Sequence, residues 1–407
     1  MKRSLSMLVA LGLLIASCSA VQKISGSTAP APKPSAPVVS DGRVVLPKGT
    51  IPANAKPVKI ALLVPLSGES MAIGNAMLDA ATMAVFDSYV GTPAEQIRAR
   101  VILMPKDTGN TPADAVRVTK QAIEQGATFI VGPLFSQSVS AIAPMVKEAN
   151  IPVLSFSNNK AVAENGIYTF GFLPEQQVER MAEYAYLNGL TRVAMLAPND
   201  SYGEKIKERL LTEYSKRGGI ISPVELYAPS QSNIEAAVSR LASSYNNAAE
   251  NRRFQAIFVA EGGTNLKFIV DALGKTNIDP TKVKLLGTGL WDDPNLSKMP
   301  AMQGAWFTSS PPEAYKNFET HFNAMYGYKP MRLASLSYDA VALVATLTMS
   351  MPEGGLTTAS LTDPKGYFSP ANSLFRLLPN GTSDRKLAVM EVTSEGFKVV
   401  DQAPKRF

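Results

Sequence analysis

Ser136 stands between an apolar run that ends at Gly132 and a segment at helical spacing that runs to Ala149. A hydroxyl there, together with the free N–H groups of a first helical turn, could take a carboxylate. Ser136 and Ser138 could equally cap that helix, the commoner job of such serines. Three further places put polar groups directly after apolar runs: Ser157 and Asn159 follow 151–156, Tyr202 opens a helical segment after 192–197, and Glu261 follows 255–260. Serine and asparagine in such loops also make ordinary turns. The tyrosine could serve helix packing, and the glutamate could sit on a solvated loop.

Catalytic chemistry finds little support. His321 is the only histidine and Cys18 the only cysteine in 407 residues, so no His/Cys metal cluster can form. His321 lies in a helical stretch from Asn317 to Tyr326 and reads as a surface or half-buried residue. Ser157-Asn158-Asn159-Lys160 spells S-x-x-K, but no S-D-N accompanies it and Lys275-Thr276-Asn277 is not K-T-G, so the spelling is taken as chance. Neither G-x-G-x-x-G nor a P-loop occurs. The expectation is no enzyme, no cofactor and no metal.

The elements that position these residues alternate between strand and helix. Lys59–Pro65 is a near-continuous apolar run, as expected for a parallel strand covered on both faces. Strands are expected at 101–104, 128–132, 151–156, 168–172, 192–197, 220–226, 255–260 and 283–287. Helices are expected between most of them, at 71–88, 112–125, 138–149, 175–188, 202–217, 234–245 and 265–273. The alternation predicts an α/β fold of doubly wound parallel sheets. About 350 residues exceed what one core normally serves, so two sheets in two lobes are expected. The ligand of such a fold binds at the carboxyl ends of strands, here between the lobes.

The amino-terminal segment carries a different message. Lys2 and Arg3 lead an apolar stretch, Met7–Ala16, that is too short to span a bilayer and reads as a signal-peptide core. Ile15-Ala16-Ser17-Cys18 resembles the bacterial lipobox, with isoleucine in place of the usual leucine; an ordinary secretory signal is the alternative. The resemblance implies a signal peptide over 1–17 and a lipid on Cys18. Ser19 after the cysteine resembles outer-membrane sorting, so the expected location is exported, on the periplasmic face and lipid-anchored in the outer membrane. Residues 18–57 are expected to form a tether, since 19–57 hold seven prolines among Ala, Ser, Gly and Val. Residues 1–57 hold seven Lys/Arg and one Asp, whereas the other 350 residues hold 33 basic and 33 acidic side chains. The sequence pI near 9.1 is therefore a property of the leader and tether, which argues against nucleic acid as a partner.

Four segments carry a family resemblance: Lys59–Gly68, Gly126–Ser136, Ile151–Ser157 and Arg192–Gly203. In this order the chain is similar to type I periplasmic solute-binding proteins, in particular the leucine/isoleucine/valine-binding group and its lipoprotein relatives. The resemblance implies two lobes joined by three crossings and a hinge, with 58–173 and 308–365 in the first and 174–307 and 366–407 in the second. It implies an amino-acid-like ligand whose carboxylate is held at Ser136, with polar contacts from Ser157 and Asn159. Tyr202 matches a tyrosine that closes over the ligand. The family's acid after a late second-lobe strand is missing at Gly287–Trp291. Glu261 could replace it as the anion for an α-ammonium, with Asp292 or Asp293 as weaker candidates. The implied partner is an ABC permease. Pro65–Gly68 and Gly132–Leu134 also resemble the penicillin-binding-protein activator lipoproteins, which makes a penicillin-binding protein the alternative partner.

Overall fold

The computed structural model describes residues 57–92, 100–350 and 356–407, and the backbone of two strands before them. Those two, β1 (Val38–Ser40) and β2 (Arg43–Val45), form an antiparallel pair. Then β3 (Val58–Val64) runs between parallel neighbours β4 (Val101–Asp107) and β5 (Phe129–Val131), with Ile60 opposite both Leu103 and Phe129. With β6 (Val153–Ser155) and β7 (Ile167–Thr169) they make a seven-stranded sheet in the order β1-β2-β4-β3-β5-β6-β7. Period-two alternation decides what each face meets. Ile60, Leu62 and Val64 join one core with α1 (Met71–Asp87), while Ala61 and Leu63 join another with α2 (Pro112–Glu124) and α3 (Ser136–Glu148).

The second sheet repeats the design. After α4 (Pro174–Leu187) come β8 (Arg192–Pro198), α5 (Ser201–Arg217), β9 (Ile220–Tyr227), α6 (Gln231–Asn247), β10 (Ala256–Val259), α7 (Gly263–Leu273), β11 (Lys284–Gly287) and β12 (Trp306–Ser309). Val193, Met195 and Ala197 face α4 and α5, while Ala194 and Leu196 face α6 and α7. The chain then returns to the first sheet: α8 (Pro312–Tyr326) and α9 (Ala334–Ser350) pack on α1, and α9 supplies Leu336, Val341 and Val344 to its core. After α10 (Thr358–Leu361), β13 (Tyr367–Ser369), β14 (Ser373–Leu377) and β15 (Ser383–Arg385) form a small antiparallel sheet. Finally β16 (Ala388–Thr393) and β17 (Gly396–Asp401) close the second sheet, whose order is β17-β16-β12-β11-β10-β8-β9.

Three features depart from the expectations. The stretch read as a tether contains β1 and β2, and β2 pairs with β4 through Val44 opposite Leu103. Val38-Val39 and Val44-Val45 flank Asp41-Gly42, a hairpin signal that outweighs the surrounding prolines. Residues 366–385, expected in the second lobe, belong to the first: Phe375 and Leu377 of β14 are buried in the first sheet's core. Only from Ala388 does the chain pair with the second sheet, as Ser309 opposite Ala388 marks. The third departure is that β16 runs against the direction of the otherwise parallel sheet, so that it pairs antiparallel with both β12 and β17. Cys18 and the signal segment 1–17 lie outside the described residues. Among the described residues no helix is long and apolar enough to cross a membrane.

Candidate functional site

The carboxyl ends of β5, β6, β8, β9, β10 and β11 carry the polar groups of interest. On the first sheet, α3 opens at Ser136 behind an extended Phe135 (φ −91°, ψ 136°), and no side chain caps it. Ser136 is half-buried, and capping is therefore not what its hydroxyl does. The N–H groups of that first turn carry the positive end of the helix dipole.

The loop after β6 is tied down by its own side chains. Ser157 is 2% exposed, and its Oγ accepts from Asn159 N at 3.1 Å. Asn159 Oδ1 accepts from Ala161 N at 3.2 Å. These are the serine and Asx turns left open as the plain alternative. Asn159 does more, because Lys205 Nζ of α5 donates to its Oδ1 at 2.9 Å and so joins the first sheet's loop to the second sheet's helix. Lys160 pairs with Glu175 of α4 at 3.3 Å, and no hydrogen bond joins it to Ser157 among the described residues. Glu175 is 8% exposed, and its Oε2 is buried with no hydrogen-bond partner among the described residues.

On the second sheet Asp200 caps α5, its Oδ1 accepting from Tyr202 N and Gly203 N at 2.9 Å each. The hydroxyls of Tyr202 and Thr288 lie 3.3 Å apart. Burial pushes the Tyr202 phenol up to about 12, against the opposing pull of the Thr288 bond and with help from the charges of Glu261 and Asp200. Glu261 is held rather than solvated: Tyr227 Oη donates to its Oε2 at 2.8 Å, Gly262 N to its Oε1 at 3.1 Å, and Asn265 Nδ2 to Oε2 at 3.4 Å. Tyr227 is raised above the ordinary phenol range, by burial first and then by its bond to Glu261. Both phenols thus stay protonated at neutral pH. Trp291, fully buried, donates Nε1–H to the Glu261 carbonyl at 2.8 Å. A half-buried acid bonded by a tyrosine is suited to an ammonium group.

Asp292 and Asp293 are engaged elsewhere. Ser309 Oγ donates to Asp292 Oδ2 at 2.7 Å with Arg332 Nε 3.6 Å away, and Asp293 accepts from Asn295 N at 3.0 Å. His321 is exposed on α8, with Nε2 3.7 Å from Asp87 Oδ1. No group of three or more His, Cys, Asp or Glu suited to a metal occurs among the described residues.

The sequence profile of the family described as periplasmic binding protein matches residues 57–396. The chain belongs to that family. Solved binding proteins share its fold. The substrate-binding protein LivJ of Streptococcus pneumoniae, in complex with isoleucine, is 20% identical with a TM-score of 0.61, covering 85% of this chain and 100% of its own. A branched-chain amino acid ABC transporter periplasmic ligand-binding protein of Burkholderia xenovorans is 16% identical with a TM-score of 0.66, covering 84% and 94%. Among curated proteins, the uncharacterized protein RP748 of Rickettsia prowazekii is 24% identical over 234 residues, 57% of this chain and 60% of that protein. The penicillin-binding protein activator LpoA of Glaesserella parasuis is 30% identical over 152 residues, 37% of this chain and 24% of that one. The chain thus matches less than two-thirds of the length of these curated relatives.

Within this binding protein, Tyr202 and Glu261 fall into one cluster, and Asn159 meets that helix through Lys205. Among the described residues no hydrogen bond links Ser136 to them. Sequence reasoning passed over Tyr227, Thr288, Lys205 and Glu175. An aromatic residue closing β9 was the signal for Tyr227. Glu175 gave none, because an acid in a first helical turn ordinarily serves the dipole.

Proposed function

We propose that the protein is a non-catalytic receptor that captures an amino acid or similar small solute between two lobes, one on each sheet, and delivers it to an ABC permease. One observation carries this reading: the uncapped start of α3 and the Glu261–Tyr227 pair offer an anion site and a cation site on different sheets. The α-carboxylate sits at Ser136 and the N–H groups of α3, and the α-ammonium at Glu261. Tyr202 closes over the ligand as the lobes swing together. Lipid on Cys18 holds the receptor on the periplasmic face of the outer membrane. Cys18→Ala should release it from the membrane fraction, and retention would remove the anchor from this reading.

The test is a thermal-shift panel of amino acids, small peptides and wall fragments on the purified chain. A ligand at 100 times its dissociation constant adds ~2.7 kcal/mol of stability, seen as a rise in melting temperature. A shift with one amino-acid class supports capture. A flat response favours a second reading, in which the fold activates a penicillin-binding protein in peptidoglycan synthesis. The 30% identity to an LpoA protein over 152 residues favours that alternative. Its own test is co-purification with penicillin-binding proteins from the membrane fraction.

A further inference from the structure

The five basic residues of α5 are treated unequally. Lys207 pairs with Glu204, Arg209 with Glu179 and Glu213, and both Lys216 and Arg217 with Glu213. Lys205 alone of the five has no carboxylate within 4.0 Å among the described residues. It is half-buried, and its one protein partner among them is the neutral Asn159 Oδ1 at 2.9 Å. Of the other acids of the site, Glu175 pairs through Oε1 with Lys160 at 3.3 Å, its Oε2 without a hydrogen-bond partner among the described residues, and Glu261 accepts from Tyr227 at 2.8 Å.

An ammonium has three donors and Asn159 takes one. Asn159 Oδ1 is occupied twice, by Lys205 and by Ala161 N, and its Nδ2 makes no bond within the described protein. Lys205 and Asn159 therefore present donors side by side where the two sheets meet. Lys205 also lies three residues after Tyr202, on the same helical face. A partly desolvated cation with no counter-charge is unfavourable, and a ligand anion beside it relieves the cost.

We infer that Lys205 and Asn159 hold an acidic side-chain group of the ligand, so that the substrate class is amino acids bearing a second carboxylate. This rests on the reading of the cleft as an amino-acid site. Lys205 is then a specificity-determining residue, distinct from the groups that take the α-carboxylate and α-ammonium.

Calorimetric titration of the purified full chain with L-glutamate, L-glutamine and L-leucine tests it. Glutamate and glutamine share shape and differ in charge. The expected result is that glutamate binds about tenfold more tightly than glutamine, the scale of one charged hydrogen bond. The ratio should fall to near one in Lys205→Gln, persist in Lys205→Arg, and shrink as ionic strength rises. Equal affinities in the unaltered chain, or a ratio that survives Lys205→Gln, would overturn the inference while amino-acid capture stands. Tighter binding of leucine than of glutamate would do the same. If none of the three binds, both readings fall.

Discussion

Helices α3 and α5 begin alike, each one loop beyond a strand of its own sheet, and then treat their first turns in opposite ways. α5 brings its own carboxylate, Asp200, which accepts from two of its free N–H groups. α3 brings none. A helix start already neutralised by an acid is a poor anion site, and one left open is a good one. In the proposed receptor the difference divides the labour of the cleft. The first sheet offers donors at Ser136, whereas the second offers the Glu261 carboxylate among protonated phenols. Beneath this contrast lies a shared packing device. A methyl on Gly74 would lie 1.7 Å from the Pro65 carbonyl oxygen, and one on Gly203 would lie 1.9 Å from that of Pro198. α1 and α5 thus each rest directly on the backbone at the end of the strand before them.

That shared device yields the largest expected effect. Gly74→Ala and Gly203→Ala should each cost ~3 kcal/mol or more, because rigid backbone cannot yield as a side chain would. Calorimetric melting checks this, and a variant that melts with the unaltered protein would show that its helix can lift freely. Next come the two ends of the cleft. Glu261→Gln should weaken an amino-acid ligand by ~2 kcal/mol and Ser136→Ala by ~1 kcal/mol, since only the first removes a charge. Titration calorimetry gives the order, and a reversal would move the dominant contact to the first sheet. The capping contrast is sharper in stability than in binding. Asp200→Ala should lose ~1 kcal/mol of folding stability, whereas Ser136→Ala should lose none, as no cap bond is there to break. A matching loss from both would mean that the two helix starts are equivalent after all. The smallest effect concerns the amino-terminal segment. Truncation before residue 37 should leave the melting temperature unaltered, whereas truncation through residue 45 should lower it by a few degrees, because β2 then no longer covers the edge of β4. Identical melting of both truncations would show that the hairpin adds nothing.

The alternating halves of the fold were legible because buried parallel strands are written as plain apolar runs. Lys59–Pro65 announced β3 and Arg192–Ala197 announced β8, each within a residue or two. The terminal pieces were harder. β13 to β17 are short antiparallel strands with polar residues on one face, such as Glu391 and Lys398, and they carry no continuous apolar run. β12 pairs with β16 across about eighty residues, a separation that no local pattern encodes. In the site, sequence could place a residue at a strand end but could not assign its hydrogen bonds. Ser157 and Asn159 stood where expected, yet the turn they build consumes Ser157 Oγ and Asn159 Oδ1 as acceptors. Glu261 could be named as a candidate, but its grip by Tyr227 depends on β9 and β10 ending near each other, with β8 between them in the sheet.

The indole of Trp291 adds an optical consequence. It is one of two tryptophans in the chain, it is sealed from water, and its N–H bonds to the carbonyl of Glu261. The other, Trp306, lies on β12 against Tyr184 and Lys284. Any displacement of the Glu261 loop changes the dipoles beside one fluorophore and leaves the other as an internal reference. In the proposed receptor, occupancy of the cleft should therefore be visible in the emission spectrum of the unlabelled protein, at concentrations too low for calorimetry.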